Sequence, residues 1–337
     1  MSRFGAVILG ADGLRLTAGE KALFRKTKPF GFILFARNLQ SAEQIRALCD
    51  EMREAAGHDA PITIDQEGGR VQRLTPPLAR QWVPPLDFVR AAGAEAERAM
   101  YLRARLIADE LRGLGLDCNC APVCDLSGPG THAFLQNRCY GSDPDTVTAL
   151  ALATAQGHID GGVLPVMKHI PGHGRSGMDT HFDLPVVRAP LPDLQAEDFA
   201  PFAALRDLPM GMTAHLIFDA LDPQRPATHS ETCINFIRQD IGFDGLLMTD
   251  DIGMEALSGT LASRSVAALR AGCDVVLHCN GDLRDRAEAA EAAEQMTPDA
   301  QRRADAALAT RRPPQPLDIP AAEAELERLV PGGYQGP

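Results

Sequence analysis

The chain alternates short apolar runs with longer segments in which apolar residues recur at helical spacing. The apolar runs predict eight strands: GAVILG (5–10), GFILFA (31–36), PITID (61–65), LDCNCAPV (116–123), VLPVMKH (163–169), PMGMTAHL (209–216), GLLMTD (245–250) and CDVVLHC (273–279). The amphipathic segments predict helices at 41–55, 95–114, 145–160, 230–240, 261–271 and 283–296, and an alanine-rich, charged helix around 286–310.

This alternation predicts the fold class. Continuous apolar strands separated by helices are typical of an α/β protein with a parallel sheet, and eight such units predict a single (β/α)₈ TIM-type barrel. The alternative is an open doubly wound sheet, whose dinucleotide-binding version lacks support because no G-x-G-x-x-G follows any strand. We predict that residues 1–310 form the barrel, and that residues 311–337 form a linker and a short docking helix near 320–330 as a C-terminal extension.

Composition and charge narrow the possible partners. The 337 residues are 45% hydrophobic and 23% charged, which is ordinary for a globular protein, and the net charge is −12. A nucleic-acid surface would need clustered Lys and Arg, so no nucleic-acid partner is expected. The apolar run at the N-terminus is too short for a signal peptide or a membrane span, so no membrane partner is expected either.

The eight cysteines lie mostly in apolar, strand-like stretches, and the chain is far larger than scaffolds that depend on disulfides. We therefore expect reduced thiols and a cytoplasmic location. Cys118, Cys120 and Cys124 lie close together, but no C-x-x-C pair occurs and their stretch has strand character, so no metal is expected there.

Several predicted strands end in polar residues. These residues are Asp65, Lys168, His169, His215, Asp250 and Asp251. The carboxyl ends of the strands of a barrel line one mouth, and a core strand has no packing reason to end on a charge. The sequence therefore predicts a polar pocket at this mouth.

The segment KHIPGHGRSGMDTHFDLP (168–185) places three histidines directly after a strand, and such a loop is typical of a functional site. One hypothesis is that these histidines transfer protons or bind hydroxyl groups. The other is a zinc site with His169, His173 and His181 as ligands and Asp250 as the base.

Two further segments carry polar residues at strand ends. In LLMTDDIGMEAL (246–257), adjacent strand residues point in opposite directions, so we expect only one of Asp250 and Asp251 to face the pocket and the other to be structural. In IDQEGGRVQRL (64–74), Asp65 can accept hydrogen bonds from neighbouring hydroxyl groups. Two glycines there allow a tight turn that brings Arg70 or Arg73 to the mouth.

These three segments, in this order and spacing, resemble glycoside hydrolase family 3, and most closely its bacterial β-N-acetylglucosaminidases of peptidoglycan recycling. The likeness spans about residues 5–300, and K-H-x-P-G-H-G followed by D-x-H is its most specific part. The resemblance implies that Asp250 is the nucleophile, His181 the proton donor and Asp179 its orienting partner. It also implies that the terminal sugar is held by Asp65, Arg73, Arg138, Lys168 and His169. Near Arg138 the chain reads QNRCYGS where the family usually reads G-x-R-S-F.

The chemistry of these residue types agrees with the resemblance. Retaining hydrolysis needs a carboxylate that attacks the anomeric carbon and a second group that protonates the leaving oxygen and later activates water. A histidine can be that second group because its pKa lies near neutral pH, and Asp179 can fix the tautomer of His181.

The sequence therefore predicts hydrolysis of terminal, non-reducing β-linked N-acetylglucosamine from a muropeptide or a related amino-sugar glycan. We expect a cytoplasmic monomer that needs no cofactor and no metal. One alternative is a relative in the same family that releases the sugar onto phosphate. Another is a sugar-binding barrel without catalytic activity.

Overall fold

The computed structural model describes residues 3–176 and 184–336, and eight parallel strands form a closed barrel at its centre. The strands are β1 (Gly5–Gly10), β2 (Pro29–Leu34), β3 (Ile62–Ile64), β4 (Cys118–Asn119), β5 (Leu164–Ile170), β6 (Met210–Thr213), β7 (Leu246–Asp251) and β8 (Val275–His278). Each strand pairs with its neighbours in chain order, and β1 closes the barrel by pairing with both β2 and β8. The predicted (β/α)₈ barrel is therefore confirmed, and the open sheet is excluded.

The barrel strands are buried on both faces, which explains why they are continuously apolar in the sequence. All six residues of β1 and all six of β2 are buried. Each predicted run overlaps one barrel strand, but the run 116–123 contributes only Cys118–Asn119 to a ladder. Pro122 has no amide hydrogen to donate, and beyond it the chain keeps only an isolated bridge from Val123 to Lys168.

Thirteen α-helices lie in the described part of the chain. Their bounds are α1 (Ala18–Thr27), α2 (Ala42–Ala56), α3 (Pro85–Ala92), α4 (Ala96–Gly113), α5 (Ala133–Gln136), α6 (Pro144–Asp160), α7 (Leu191–Ala196), α8 (Ala200–Ala204), α9 (Glu231–Gln239), α10 (Leu261–Ala271), α11 (Leu283–Ala293), α12 (Pro298–Ala309) and α13 (Ile319–Leu329). The six helices predicted between 41 and 296 are present, whereas α1, α3, α5, α7 and α8 were not predicted.

The single helix expected around 286–310 is wrong, because two helices, α11 and α12, occupy this region. Glu294 has a positive φ of 56°, a conformation that ends a helix. Thr297 then accepts a hydrogen bond from the Ala300 amide, and Pro298 occupies the first turn of α12. The prediction of one helix followed from the similar alanine content of the two segments.

The C-terminal segment folds back onto the barrel. Helix α13 packs against α4, and the guanidinium of Arg80 forms ion pairs with Glu110 and Glu323, which joins the two. The short strand Tyr334–Gln335 then pairs antiparallel with Gln81–Trp82, and the Tyr334 and Trp82 rings lie 5.1 Å apart. The division of the chain at residue 310 stays a prediction.

No helix among the described residues is both long and apolar enough to cross a bilayer. All eight cysteines are free thiols and are buried, as their positions in apolar runs predicted. Burial raises the pKa of the Cys118 thiol to about 12, so this thiol is protonated at neutral pH.

Candidate active site

The carboxyl ends of the barrel strands surround a cavity of about 190 Å³. Six of the eight residues proposed from the sequence for the site line this cavity, and they are Asp65, Arg73, Arg138, Lys168, His169 and Asp250. The remaining two, Asp179 and His181, lie outside the described residues.

Asp65 follows β3 and connects two cations. Its Oδ1 accepts a hydrogen bond from Lys168 Nζ at 3.0 Å, and its Oδ2 accepts one from Arg73 Nη2 at 2.9 Å. Burial raises the pKa of the Asp65 carboxyl, but Lys168 and Arg73 hold that pKa well below its usual range. Asp65 is therefore an ionised acceptor, fixed in place beside two donors that a sugar hydroxyl can share.

Glu67 was not predicted as a site residue, yet it binds Lys168 and a further cation, Arg138, on the side away from the cavity. Its carboxylate accepts two hydrogen bonds from Arg138, both at 2.8 Å, and lies 2.6 Å from Lys168 Nζ. Only 2% of the Glu67 side chain is exposed, so this carboxylate fixes two cations from below and does not contact a ligand.

Glu67 lies in the first strand of a tight hairpin, in which the short strands Gln66–Gly68 and Val71–Gln72 pair antiparallel. Gly68 has a φ of 102°, and a Cβ atom there would lie 1.9 Å from Arg103 Nη2. Arg103 itself donates a hydrogen bond to the Glu67 carbonyl at 2.7 Å. Position 68 therefore requires glycine, and the two glycines predicted to form a turn do so.

His169 is oriented by Asp125, a second residue that was not predicted. The Asp125 carboxylate accepts from His169 Nδ1 at 2.7 Å and from the His173 amide at 2.7 Å. Asp125 is completely buried, and its pKa is lowered because His169 and His173 outweigh the effect of burial. With Nδ1 held in this way, His169 presents its other ring nitrogen for a ligand.

His173 also lines the cavity, although its role was open in the sequence. Burial, reinforced by the neighbouring His169, lowers the pKa of His173 to about 4, so this imidazole is neutral at pH 7. The rings of His169 and His173 lie 5.4 Å apart. Within residues 3–176 and 184–336, no group of three His, Cys, Asp or Glu side chains is arranged to hold a metal ion.

Asp250 and Asp251 both lie in β7 and both line the cavity, so the prediction that only one of them faces it is wrong. The register between β7 and β8 shifts between the pairs Met248–Val275 and Asp251–Leu277, which breaks the alternation of side chains. Such a β-bulge redirects side chains and is common beside active sites.

The hydrogen bonds nevertheless separate the two aspartates. Asp251 Oδ1 accepts from the amides of Gly253 at 2.9 Å and Cys279 at 3.1 Å, so this carboxylate supports the backbone of two loops. Asp250 Oδ1 accepts only the adjacent Asp251 amide, at 2.8 Å, among the described donors. Burial raises the pKa of Asp250, but the neighbouring His169, His215 and Lys168 and the hydrogen bond from the Asp251 amide lower it more, so Asp250 is ionised at neutral pH.

His215, two residues after β6, lies behind this pair. Its Nε2 is 3.1 Å from the Asp251 carbonyl oxygen and its Nδ1 is 2.8 Å from Thr228 Oγ1. It is completely buried and is not part of the cavity lining, so His215 supports the end of β7.

A parallel barrel with an ionised carboxylate at the end of β7, surrounded by fixed donors and acceptors, fits a glycosidase. The nucleophile of a retaining glycosidase is such a carboxylate, and the paired polar groups match a ligand rich in hydroxyls.

Comparisons with known proteins agree with this class. The model of the glycosyl hydrolase family 3 N-terminal domain matches residues 9–308, and the chain belongs to this family. A beta-hexosaminidase from Alkalilimnicola ehrlichii is 39% identical over 286 residues, which cover 82% of this chain and 81% of that protein.

Solved structures are similar over nearly the whole chain. Native NagZ from Neisseria gonorrhoeae superposes with a TM-score of 0.80 at 31% identity and covers 97% of this chain and 98% of its own. A family 3 β-N-acetylglucosaminidase from Paenibacillus sp. gives a TM-score of 0.84 at 29% identity, covering 96% of this chain and 66% of that protein. The family resemblance read from the three sequence segments is thereby confirmed.

Proposed function

We propose that this chain is a retaining β-N-acetylhexosaminidase that removes terminal, non-reducing β-linked N-acetylglucosamine from muropeptides or related amino-sugar glycans. The observation that carries the proposal is the ionised Asp250 at the end of β7, in a cavity whose other wall is the Asp65–Lys168–Arg73 network. The names of the relatives support the activity on hexosaminides.

In this proposal Asp250 attacks the anomeric carbon and forms a glycosyl-enzyme. The nearby His169 and Lys168 favour the carboxylate form of Asp250, so the nucleophile is ready at neutral pH. Fixed hydrogen-bond donors at the cavity wall then act without reorganisation when charge develops on the sugar.

The sugar-binding role belongs to Asp65, Arg73, Arg138, Lys168 and His169. Asp65 accepts from sugar hydroxyls while Lys168 and Arg73 donate, and His169 offers the ring nitrogen that faces away from Asp125. Because these groups already bind one another, the protein does not have to order them when the sugar enters.

The acid/base role belongs to His181, oriented by Asp179, as the family resemblance implies. His181 protonates the glycosidic oxygen in the first half-reaction and removes a proton from water in the second. The other carboxylates that line the described part of the cavity are Asp65, which is paired with two cations, and Asp251, which accepts hydrogen bonds from the amides of two loops. Both are used as acceptors within the protein, which supports a proton donor supplied by the loop that carries Asp179 and His181.

A substrate panel tests the activity. Aryl β-N-acetylglucosaminides should be hydrolysed with retention of configuration, while aryl β-glucosides should be poor substrates. A fluorinated N-acetylglucosamine analogue with a slowly hydrolysed glycosyl-enzyme should label the peptide that contains Asp250. A label on any other residue, or inverted product, would contradict the mechanism. Product analysis with and without phosphate decides between hydrolysis and release onto phosphate.

We also infer a recycling role in the cytoplasm. Eight free, buried thiols suit a reducing compartment, where such cysteines are stable. Cell fractionation of the host would test the location, and accumulation of N-acetylglucosaminyl muropeptides in a deletion strain would test the role.

A further inference from the structure

The hairpin formed by Gln66–Gly68 and Val71–Gln72 connects residues of one wall of the cavity proposed to bind the sugar. Asp65 directly precedes its first strand, and Arg73 directly follows its second. Both side chains line the cavity, and Glu67 within the hairpin holds further cations of the same wall. The position of the hairpin therefore sets the geometry of this wall.

The short strand Gln81–Trp82 holds the hairpin through the backbone of Trp82. The Trp82 carbonyl oxygen accepts a hydrogen bond from the Gly69 amide at 3.0 Å, and the Trp82 amide donates to Gln72 Oε1 at 3.1 Å. The side-chain amide of Gln72 also donates to the Arg80 carbonyl oxygen at 2.7 Å. Both polar backbone groups of Trp82 thus bind the hairpin.

The other edge of this strand is covered by the C-terminal strand, Tyr334–Gln335. The two strands pair antiparallel, and the Gly333 carbonyl oxygen accepts a hydrogen bond from the Val83 amide at 3.2 Å. Neighbouring residues of a strand direct their backbone groups to opposite sides, so Trp82 binds the hairpin and Val83 binds the C-terminal segment. Residues 81–83 therefore lie between the hairpin and the C-terminal strand.

Side chains join the same three elements. Trp82 is the one tryptophan of the chain and is only 1% exposed, and the centre of its ring lies 5.1 Å from that of Tyr334. The Arg103 guanidinium lies 5.2 Å from the centre of the Trp82 ring. Arg103 also donates to the carbonyl oxygens of Glu67 at 2.7 Å and Val83 at 3.1 Å. Loss of the Tyr334 ring would therefore expose Trp82 and loosen its hold on the hairpin.

The C-terminal strand is fixed by close packing directly before it. A Cβ atom at Gly333 would lie 2.8 Å from Val330 Cγ1 and 2.9 Å from Phe88 Cε2, so glycine is required for this approach. Helix α13 precedes the strand, and its Glu323 forms an ion pair with Arg80. The C-terminal strand thus has a defined position against residues 81–83.

We propose that Tyr334 is a positioning residue for the sugar site, because the C-terminal strand acts through Trp82 to hold the hairpin that connects Asp65 and Arg73. This inference rests on the proposed function. The hairpin carries residues proposed to bind the sugar, whereas the proposed nucleophile Asp250 lies in β7. Loosening the C-terminal strand should therefore weaken sugar binding more than it slows the chemical step.

Steady-state kinetics of full-length variants on an aryl N-acetylglucosaminide test the proposal. Tyr334→Ala removes the ring that covers Trp82, and Gly333→Val pushes the strand away from Phe88. Each should raise KM and the inhibition constant of N-acetylglucosamine about fivefold, which is what a weakened hydrogen bond to the sugar costs, while kcat stays within about twofold. Tyr334→Phe keeps the ring and should retain the wild-type KM.

The fluorescence of Trp82 reports on the same contact without catalysis. Acrylamide should quench Trp82 more strongly in Tyr334→Ala and Gly333→Val than in the wild type, because its ring is then less covered. Docking of the C-terminal strand and binding of the sugar favour the same position of the hairpin, so the two are linked. Saturating N-acetylglucosamine should therefore partly reverse the increase in quenching.

Tyr101→Ala is the matched control, because Tyr101 is also a half-buried tyrosine whose ring lies beside an arginine, Arg98, at 5.5 Å. It should leave both KM and the quenching of Trp82 unchanged within about twofold. Stronger quenching with an unchanged KM in Tyr334→Ala and Gly333→Val would overturn the proposal, since the strand would then contribute to stability alone. Unchanged quenching in both variants would refute the contact on which the proposal depends. A wild type that does not hydrolyse the aryl N-acetylglucosaminide would instead contradict the proposed function.

Discussion

Glu67 is the residue whose replacement should most sharply test the architecture of the mouth. Its carboxylate accepts two hydrogen bonds from Arg138 and lies 2.6 Å from Lys168 Nζ, with only 2% of its side chain exposed. Glu67→Gln keeps the shape but removes the charge, which leaves Arg138 without its described ion-pair partner and Lys168 paired only with Asp65.

The expected cost follows from this burial. Removing one partner of a buried ion pair costs roughly 3–5 kcal/mol, and the amide oxygen of Gln retains part of the hydrogen bonding, so we expect about 3 kcal/mol. That is roughly a hundredfold decrease in the ratio of folded to unfolded protein. The KM for an aryl N-acetylglucosaminide should also rise, because Lys168 is no longer held between two carboxylates.

Equilibrium urea unfolding at several pH values provides the measurement. Burial raises the pKa of Glu67, but Arg138 and Lys168 lower it more, so the folded-state pKa lies below the unfolded value of about 4.3. The stabilisation by Glu67 is therefore complete above about pH 4.3 and is lost as the pH falls through the folded-state pKa. The difference between wild type and Glu67→Gln should be constant near neutrality and decrease in acid.

Glu54→Gln, on the exposed face of α2, serves as the control and should change the free energy of unfolding by less than about 0.5 kcal/mol. If Glu67→Gln costs no more than Glu54→Gln, or if its cost is independent of pH down to acid unfolding, the ion-pair network does not stabilise the mouth.

Three further predictions concern catalysis. Asp250→Ala should lower kcat at least about a hundredfold in folded protein. Asp251→Ala should lower the free energy of unfolding by roughly 1–3 kcal/mol and retain most of the turnover, because the Asp251 carboxylate accepts hydrogen bonds from backbone amides. Equal losses of turnover in the two folded variants would refute this assignment. His181→Ala should lose far more activity on a disaccharide than on an activated aryl glycoside, and azide should restore part of its turnover of the aryl glycoside. Asp179→Ala should show the same pattern with smaller losses. Equal slowing of both substrates in His181→Ala, without rescue by azide, would make His181 a binding residue. EDTA should leave activity intact, and a loss that zinc restores would revive the zinc hypothesis.

The barrel could be predicted from the sequence because its signal is local. Strands buried on both faces read as continuous apolar runs, and eight of them separated by helices leave few topologies. The same rule located Asp65, Lys168, His169 and Asp250 at one mouth, since polar residues at strand ends converge there. The break between α11 and α12 was missed because alanine is frequent on both sides of it, although Thr297 followed by Pro298 is a sequence signal of a helix start.

Glu67 and Asp125 could not be predicted because their roles depend on distant partners. Glu67 pairs with Arg138, 71 positions along the chain, and Asp125 pairs with His169, 44 positions along. In the sequence, neither residue differs from an ordinary carboxylate that follows a strand. The usable signal was their position, because each follows a barrel strand within a few residues and is therefore brought to the mouth.

The two aspartates at the end of β7 show where local rules fail for a physical reason. Alternation along a strand required Asp250 and Asp251 to face opposite ways, but the shift of register against β8 places both at the cavity. Periodicity therefore cannot assign the nucleophile at a bulge, and hydrogen bonding has to do so. Asp251 accepts hydrogen bonds from the amides of two loops and supports them, while Asp250 stays ionised because His169, His215, Lys168 and the Asp251 amide lower its pKa. An ionised carboxylate that does not hold other loops in place can form a bond with carbon. The roles of the two aspartates therefore follow from the backbone amides that each one binds.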